Sequence, residues 1–495
     1  MKYSILINKV LNEDLLTAKD FDVTGLTYDS RKVEPGYIFF AIKGLKQDGN
    51  LYINEAIKRG ANAIITELED ITKLISEYPD INFVCAKNIR QFMAKAAAEF
   101  YDNPQNKIKI IGVTGTNGKT TIVSLLKHIL EFVGLKCGLL GTVDYFIGNT
   151  KKTATLTTPD SIEIFEMLNQ MASAGLTYCV MEVSSIALLL DRVYGINFTA
   201  GIFTNLSSEH LDLHQNMENY FNAKKILFDN LNKESIAISN SDDIYGIRIL
   251  ENTNASKSYY SIINDSEFRA LNEKVTIGGV EFEIELNNKK YFVTSSLTGR
   301  FNIYNILAAI AASVKIGIGI NDILKAVKTF SAVNGRFNKI ELPNGAYAVI
   351  DYSHTSDSLK NAIEAAIEIR NNRTNKGRII TIFGCGGNKD KTKRPVMGDF
   401  ATSLSDYTII TSDNPRFEDP MEIIKEIVKG IKTENNYEIE ENRDLAIKKG
   451  IELSKESDII LICGKGHETY QEVKGVKSHF DDKEIVEKYF YLAKK

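Results

Sequence analysis

The stretch KIIGVTGTNGKTTIVSLLKHIL, residues 109–130, decides the fold of this chain. It opens on an apolar run rich in β-branched residues, passes into a glycine-rich loop, and ends in apolar residues at helical spacing. The loop nearly satisfies the pattern G-x-x-x-x-G-K-[ST], although its first glycine, Gly112, stands one residue too early. The essential positions are kept by Gly115, Gly118, Lys119 and Thr120. The stretch therefore predicts a strand, a phosphate-binding loop and a helix.

A loop of this kind binds the phosphates of a nucleotide. Backbone N–H groups and the helix dipole hold phosphate oxygens, Lys119 neutralises the β and γ charges, and the Thr120 hydroxyl can ligate Mg²⁺. The other interpretation is a glycine-rich turn with a surface lysine. It is disfavoured because the motif and its strand-to-helix context agree.

Beyond the loop, short apolar runs alternate with longer amphipathic stretches, which is typical of a parallel α/β sheet. The runs are 107–113, 177–183, 198–206, 347–352, 378–383, 407–412 and 458–463. The segment from about 251 to 297 has no helical period, so we expect a β insertion there.

The chain length of 495 residues favours three domains, at about 150 residues each. A polar, proline-containing stretch at 102–106 and an Asn334-Gly335 turn before a fresh strand are the two clearest breaks. We therefore predict domains at 1–105, 106–334 and 335–495.

Composition excludes several classes of protein. The chain has 60 Lys and Arg against 64 Asp and Glu, a net charge of −4, so we expect no nucleic-acid partner. No apolar run approaches the roughly 18 residues needed to span a bilayer, so we expect no membrane insertion. The five cysteines are far apart and never in C-x-x-C spacing, which favours a reducing cytosol and argues against disulfides and zinc. We expect a cytoplasmic monomer.

Polar residues follow five of the apolar runs. They are Glu182, 205–210, 384–389, 413–416 and 464–468. Ligands of open α/β sheets bind beyond the carboxyl ends of strands, so this placement nominates five segments of one site.

Single residues in these segments leave alternatives open. Glu182 fits either a Mg²⁺ carboxylate or a charge at a helix N-terminus. His210 and His214 fit metal ligation, but each could equally be packed or solvated. Lys224 and Lys225 would ordinarily be solvated helix charges.

The string TGTNGKTT, residues 114–121, resembles the phosphate loop of the Mur ligases and of their folylpolyglutamate synthetase relatives. Further motifs follow in the order found in those Mur ligases that add the third residue of the peptidoglycan stem peptide. They are Asp29-Ser30-Arg31, Thr157-Thr158-Pro159, 181–185, 205–212, 351–355, 384–387, Asp413-Asn414-Pro415-Arg416 and 464–468. The chain departs from the family at Ile186, commonly His, and at Lys389, commonly Arg.

The resemblance implies a smaller N-terminal UDP-binding domain, a central ATP-binding domain and a C-terminal Rossmann-like domain that binds the amino acid. It implies ATP contacts at Gly115, Thr116, Asn117, Gly118, Lys119, Thr120, Thr121, Asn302, Asn305, Arg336 and Asp351. It implies contacts to the UDP-muramoyl dipeptide at Ser30, Thr157, Thr158, Ser184 and Arg192. The implied amino-acid contacts are Lys389, Asp413, Asn414, Arg416, Gly464 and Glu468. The implied catalytic residues are Lys119, Glu182, His210 and Lys224, and the implied Mg²⁺ ligands are Thr120, Glu182, His210 and a carbamylated Lys224.

The implied reaction is ATP-dependent amide synthesis through an acyl phosphate. Arg416 carries a guanidinium that can grip a second carboxylate, so we expect a diamino diacid, diaminopimelate or a thioether analogue, as the added amino acid. In a second interpretation, Arg416 pairs with Glu418 or Asp419 in a solvated loop. Alternative functions are a lysine-adding ligase, a folylpolyglutamate synthetase-like ligase, and a P-loop protein that ligates nothing.

Overall fold

The computed structural model describes residues 1–12, 19–44, 47–432 and 436–494 of the chain. It contains three β-sheets with helices against them and one small hairpin. Each of the three sheets lies inside one of the three predicted segments, and the domain limits themselves stay a prediction.

The N-terminal unit is a parallel four-stranded sheet in the order β1-β2-β3-β4. Its strands are β1 (Gly25–Thr27), β2 (Tyr37–Phe40), β3 (Ala61–Thr66) and β4 (Asn82–Cys85). Its helices are α1 (Tyr3–Leu11), α2 (Ile53–Lys58), α3 (Thr72–Glu77) and α4 (Ile89–Phe100). Helix α4 shares one hydrophobic cluster with the central unit, which fixes the two units together.

The central unit contains an eleven-stranded sheet. Its strands are β5 (Lys109–Thr114), β6 (Cys137–Leu140), β7 (Asp144–Ile147), β8 (Thr150–Thr153), β9 (Tyr178–Glu182), β10 (Phe198–Phe203), β11 (Ile236–Asn240), β12 (Ser256–Ser261), β13 (Phe268–Thr276), β14 (Gly279–Leu286) and β15 (Lys289–Ser295). Its helices are α5 (Lys119–Phe132), α6 (Ser161–Ser173), α7 (Ser185–Leu189), α8 (Leu211–His214), α9 (Met217–Asp229), α10 (Arg300–Lys315) and α11 (Ile320–Thr329).

Strand β5 lies in the middle of this sheet, between β9 and β10, and both neighbours run parallel to it. Ile111 and Val113 pack in the cluster that contains α5 and α10, whereas Ile110 belongs to the cluster on the other face. A strand covered on both faces has to be apolar throughout, which explains the continuous apolar run before the phosphate loop.

The C-terminal unit holds a six-stranded sheet in the order β16-β17-β21-β18-β19-β20 and a separate hairpin, β22–β23. Its strands are β16 (Asn338–Glu341), β17 (Tyr347–Asp351), β18 (Ile379–Phe383), β19 (Tyr407–Ile410), β20 (Tyr437–Ile439), β21 (Ile459–Cys463), β22 (Tyr470–Val473) and β23 (Val476–His479). Its helices are α12 (Ser356–Asn371), α13 (Lys393–Leu404), α14 (Pro420–Val428), α15 (Arg443–Leu453) and α16 (Asp482–Tyr489).

The predicted α/β class with a central parallel sheet is confirmed, and each predicted apolar run contains a strand. The structure differs from a purely parallel sheet at the edges, where β6-β7-β8 and β13-β14-β15 pair antiparallel. The predicted β insertion at 251–297 contains β12 to β15 and extends the central sheet itself, because β12 pairs with β11. Within the described residues, no helix is both long and apolar enough to cross a bilayer.

One fully buried ion pair joins two helices of the C-terminal unit, α15 and α16, near the end of β21. Nε and Nη2 of Arg443, on α15, donate to the two carboxylate oxygens of Asp482, each at 2.7 Å, and neither side chain is exposed. Nη2 also donates to the carbonyl oxygen of Cys463 at the end of β21. The guanidinium thus ties α16 to the strand that leads into the 464–468 segment.

We expect Asp482→Asn to destabilise the C-terminal unit by about 3–5 kcal/mol, because the guanidinium of Arg443 stays buried without its counter-charge. Urea unfolding followed by circular dichroism measures the loss. The control is Glu422→Gln, which removes an exposed pair with Lys425 and should change stability by less than about 1 kcal/mol. Equal unfolding midpoints for Asp482→Asn and wild type would contradict the expectation.

Candidate active site

The phosphate loop lies between β5 and α5, and its two glycines are required by close packing. Gly115 has a φ of +146°, and a Cβ there would lie 1.8 Å from Oγ1 of Thr204. Gly118 has a φ of +89°, and a Cβ there would lie 2.3 Å from Oδ1 of Asn305. Both positions therefore exclude any side chain, both by backbone conformation and by space.

The segment after β10 forms the wall of this loop. The carbonyl oxygen of Asn205 accepts from Thr116 N at 2.8 Å, and its side-chain Oδ1 accepts from Asn117 N at 2.9 Å. Thr204 Oγ1 donates to the carbonyl oxygen of Asn117 at 2.7 Å. The predicted 205–210 segment is thus bonded directly to the phosphate loop.

Lys119 begins α5 and turns back over the loop. Its Nζ donates to the carbonyl oxygens of Gly115, at 2.9 Å, and Thr116, at 2.8 Å. Burial lowers the pKa of Lys119, whereas the charges of Glu182 and Glu209 oppose that shift. The ammonium group therefore stands where phosphate oxygens would meet the loop.

Glu182 ends β9 and is almost completely buried. Its Oε1 accepts from Thr120 Oγ1 at 3.0 Å and from Thr142 N at 2.9 Å, and its Oε2 accepts from Thr142 Oγ1. Arg336 of the C-terminal unit donates to the same Thr120 hydroxyl at 3.2 Å. Both interpretations of Glu182 are compatible with this position, because Thr120 lies in the first turn of α5 and its hydroxyl could also ligate Mg²⁺.

This oxygen pair fits Mg²⁺. A hydroxyl and a carboxylate oxygen within 3.0 Å of each other form a hard donor set, and Mg²⁺ commonly takes only one or two protein ligands beside substrate phosphates and water. Within the described residues, no three His, Cys, Asp or Glu side chains form a metal-binding group, so a metal here would depend on those other ligands.

Lys224, on α9, is buried, so its interpretation as a solvated helix charge is wrong. Its Nζ donates to the carbonyl oxygen of Gly115 at 2.9 Å and lies 4.5 Å from the ring centroid of Tyr220. Burial and the nearby Lys119 hold the pKa of Lys224 well below its usual range. Lys225 is also largely buried, but it pairs with Asp229 on the same helix.

The two histidines of the 205–214 segment have different surroundings. His214 is buried, and its Nε2 lies 2.9 Å from Oγ of Ser185, so the packed interpretation holds for it. His210 adopts a left-handed backbone with a φ of +57°, and its Nε2 lies 3.7 Å from Oε1 of Glu209. Only His210 therefore faces the cluster of charges around the loop.

Glu209 is a member of this site that the sequence reasoning missed. Its Oε1 lies 3.4 Å from Nε2 of His354, which follows β17 in the C-terminal unit. Burial would raise the pKa of Glu209, but His354, His210 and Lys119 hold it well below its usual range. Its place in the nominated 205–210 segment, directly before His210, was the available signal.

A cleft of about 480 Å³ opens between the central and C-terminal units. Its walls include the predicted ATP contacts Asn117, Gly118, Thr121, Asn302, Asn305, Arg336 and Asp351. Asn305 Nδ2 donates to Asn302 Oδ1 at 2.8 Å, and Asp351 accepts from the backbone N–H of Phe337 and of Ser353. The structure thus brings these residues together around one space of nucleotide size.

Four of the five residues predicted for the UDP substrate lie beside Glu182. Thr158 Oγ1 donates to the Glu182 carbonyl oxygen at 2.8 Å and accepts from Ser184 N at 3.0 Å, and Arg192 Nη1 donates to the Thr158 carbonyl oxygen. Thr157 contacts Thr142 through their hydroxyls. Ser30 stands apart from them, on the N-terminal unit, where it donates to Glu55.

The predicted amino-acid residues gather at the ends of β18, β19 and β21. Asn414 Nδ2 donates to Oε2 of Glu468 at 2.7 Å, and a Cβ on Gly464 would lie 2.4 Å from Oδ2 of Asp413. Burial and the neighbouring Asp413 raise the pKa of Glu468. Burial and the nearby guanidinium of Arg416 lower the pKa of Lys389.

The interpretation of Arg416 as half of a solvated pair with Glu418 or Asp419 is wrong. Glu418 binds the buried guanidinium of Arg394, and Asp419 caps α14. Arg416 instead donates from Nη1 to the carbonyl oxygen of Gly387 at 2.8 Å.

Three parts of the chain match domains of a known family. Residues 22–101 match the Mur ligase family catalytic domain, residues 113–313 the Mur ligase middle domain, and residues 335–466 the Mur ligase glutamate ligase domain.

Full-length relatives agree with these matches. The chain is 42% identical to UDP-N-acetylmuramoyl-L-alanyl-D-glutamate--2,6-diaminopimelate ligase 1 of Clostridium acetobutylicum, over 99% of both chains. It is 42% identical to the 2,6-diaminopimelate ligase of the same kind from Clostridium tetani, over 98% of both chains. A solved structure of such a ligase matches with a TM-score of 0.70 at 28% identity and covers 99% of both chains. The similarity extends over all three units, and the chain belongs to the Mur ligase family.

Proposed function

We propose that this chain joins a diamino diacid, meso-diaminopimelate or a thioether analogue, to the D-glutamate carboxylate of UDP-N-acetylmuramoyl-L-alanyl-D-glutamate, with ATP as the energy source. The observation that carries the proposal is that the nucleotide-sized cleft is lined both by Asn117 of the phosphate loop and by Tyr352, whose ring lies 4.9 Å from that of His467 in the 464–468 segment. The enzyme would act as a cytoplasmic monomer in peptidoglycan synthesis.

The first step activates the acceptor carboxylate. An oxygen of the glutamate carboxylate attacks the γ-phosphorus of ATP, and the bond from that phosphorus to the β–γ bridging oxygen breaks. The products of this step are ADP and an acyl phosphate. Lys119 neutralises the transferring phosphoryl group, and backbone N–H groups at the start of α5 hold its oxygens. Thr158, Ser184 and Arg192, beside Glu182, position the carboxylate for in-line attack.

Magnesium, held by Thr120 and Glu182 and by His210 with Lys224, would supply positive charge to phosphate oxygens. Lys224 can take part only as an anion, because an ammonium group repels a cation. An uncharged lysine amine adds CO₂ to give a carbamate and releases one proton, and the buried position of Lys224 favours the uncharged amine.

The second step forms the amide. The amine of the incoming amino acid attacks the carbonyl carbon, the C–N bond forms, and inorganic phosphate leaves while the nitrogen loses a proton. Arg416 and Lys389 would bind the two carboxylates of a diacid, and Glu468 would bind its distal ammonium. L-lysine has no second carboxylate, which disfavours the lysine-adding alternative. The folylpolyglutamate synthetase alternative is disfavoured by the separate unit that precedes the phosphate loop, and the non-ligase alternative by the match of residues 335–466 to the Mur ligase glutamate ligase domain.

We expect Lys119→Ala to lower kcat by roughly 10³-fold or more, because the lysine is the fixed cation that faces the transferring phosphoryl group. A coupled assay of ADP release in the presence of both substrates measures it. The control is Lys136→Ala, an exposed lysine just beyond the same helix, which should keep wild-type activity. A Lys119→Ala variant whose kcat is within tenfold of the wild-type value would contradict the assignment of this loop to phosphate binding.

We expect Lys224→Ala to be inactive and to regain part of its activity with a short carboxylate, because acetate can place its oxygens in the space that the carbamate leaves. The measurement is ADP release against acetate concentration. Lys225→Ala, its neighbour, whose ammonium pairs with Asp229 on the same helix, should be active and insensitive to acetate. Full activity of Lys224→Ala without acetate would show that Lys224 carries no carbamate needed for the reaction.

We expect wild type to prefer diaminopimelate to L-lysine. We expect Arg416→Ala to lose about 2–5 kcal/mol of that preference, because the variant lacks the charged bidentate contact to the second carboxylate. The measurement is kcat/KM for both amino acids. The control is Arg370→Ala, which removes a surface pair with Asp406. A wild type that prefers lysine would overturn the choice of substrate, and an Arg416→Ala variant that keeps its selectivity would overturn the role of Arg416.

A further inference from the structure

The loop that carries Arg416 is braced by the hairpin β22–β23, to which the proposed function gives no role. Arg416 has a left-handed backbone with a φ of +54°, which is unfavourable for a residue with a Cβ. Its N–H donates to the carbonyl oxygen of Glu472 at 2.9 Å, and its own carbonyl accepts from Lys474 N. Residue 416 therefore pairs with the edge of β22 as a strand would, and the pairing offsets the strain.

The same hairpin also holds the two residues at the start of this segment. Glu472 N donates to Oδ1 of Asn414 at 3.0 Å, and Gln471 Nε2 donates to the carbonyl oxygen of Asp413 at 2.8 Å. Three positions of the 413–416 segment are thus fixed by β22. Main-chain bonds of this kind are independent of the side chain at position 472.

The Glu472 side chain adds a contact of a different sort. Its Oε2 lies 3.7 Å from Nε of Arg416, and the two side chains are 20% and 24% exposed. Nη1 of Arg416 is bound to Gly387, as described above. Within the described residues, Nη2 donates no hydrogen bond, so Nη1 is bound, Nε faces a carboxylate at ion-pair distance, and the outer edge is left for a ligand.

We propose that Glu472 is a positioning residue that directs the guanidinium of Arg416 at the distal carboxylate of the diamino diacid. The proposal rests on the proposed function, because it assumes that substrate. A guanidinium fixed before binding loses less side-chain entropy when the carboxylate arrives, so selectivity for a diacid increases.

A carboxylate that only cancelled the charge of Arg416 would have the opposite effect. It would repel the substrate carboxylate, and its removal would strengthen diacid binding. Another charged group beside this guanidinium is Lys389, which would join Arg416 in binding carboxylates. The sign of the effect on selectivity therefore separates positioning from charge cancellation.

The test is Glu472→Gln, which keeps the size of the side chain and all main-chain bonds of the hairpin. We expect kcat/KM for meso-diaminopimelate to fall by about five- to tenfold because KM rises. This is the effect expected when a partly buried charged contact is lost. The KM for ATP and the kcat/KM for L-lysine should stay within about twofold of wild type. In an Arg416→Ala background, Glu472→Gln should add nothing, because the two residues act through one contact.

The matched control is Glu484→Gln, which removes a charge that pairs with His479 on β23 and leaves Arg416 untouched. It should keep the wild-type ratio of diaminopimelate to lysine. If Glu472→Gln leaves the ratio of kcat/KM for diaminopimelate to that for lysine unchanged or increases it, the positioning role is overturned. Turnover of diaminopimelate by the wild type would still support the proposed function in that case. A wild type that turns over no diacid overturns both.

Discussion

The structure depends on a close approach between the phosphate loop and its two neighbours. Gly115 lies against Thr204 and Gly118 against Asn305, at distances that admit no Cβ. Because Asn205 binds the N–H groups of Thr116 and Asn117, the loop has one shape, and the unpaired N–H groups of the first turn of α5 remain for an anion. A bulkier residue at either glycine would open the loop and separate the strand ends that carry the rest of the site.

Around this loop the chain buries charges that would each be unfavourable alone. Taking a single ion out of water costs several kcal/mol, and the nearby Lys119 lowers the pKa of Lys224 beyond what burial alone does. Glu182 and Glu209 offset part of that cost. Anionic phosphates would offset more of it, so the cluster is better suited to the nucleotide complex than to the protein alone.

Two contacts assemble the site from separate units. Arg336 reaches from the start of the C-terminal unit to the Thr120 hydroxyl, and His354 meets Glu209 from the end of β17. The acceptor, the nucleotide and the incoming amino acid would therefore meet only where the units do.

The sequence by itself determined the α/β class, the phosphate loop, the buried central strand and the five polar strand ends, because each depends on residues close together in the chain. Local pattern could not distinguish Lys224 from its neighbour Lys225, since Lys225 pairs with Asp229 on the same helix whereas Lys224 meets Gly115 of the distant phosphate loop. Glu209 and Glu472 could not be found from the sequence either, because their charge partners lie far away in the chain. The partner of Glu209 is His354 in another unit, and Glu472 reaches Arg416 only through the hairpin. Tertiary structure decided which charges face each other.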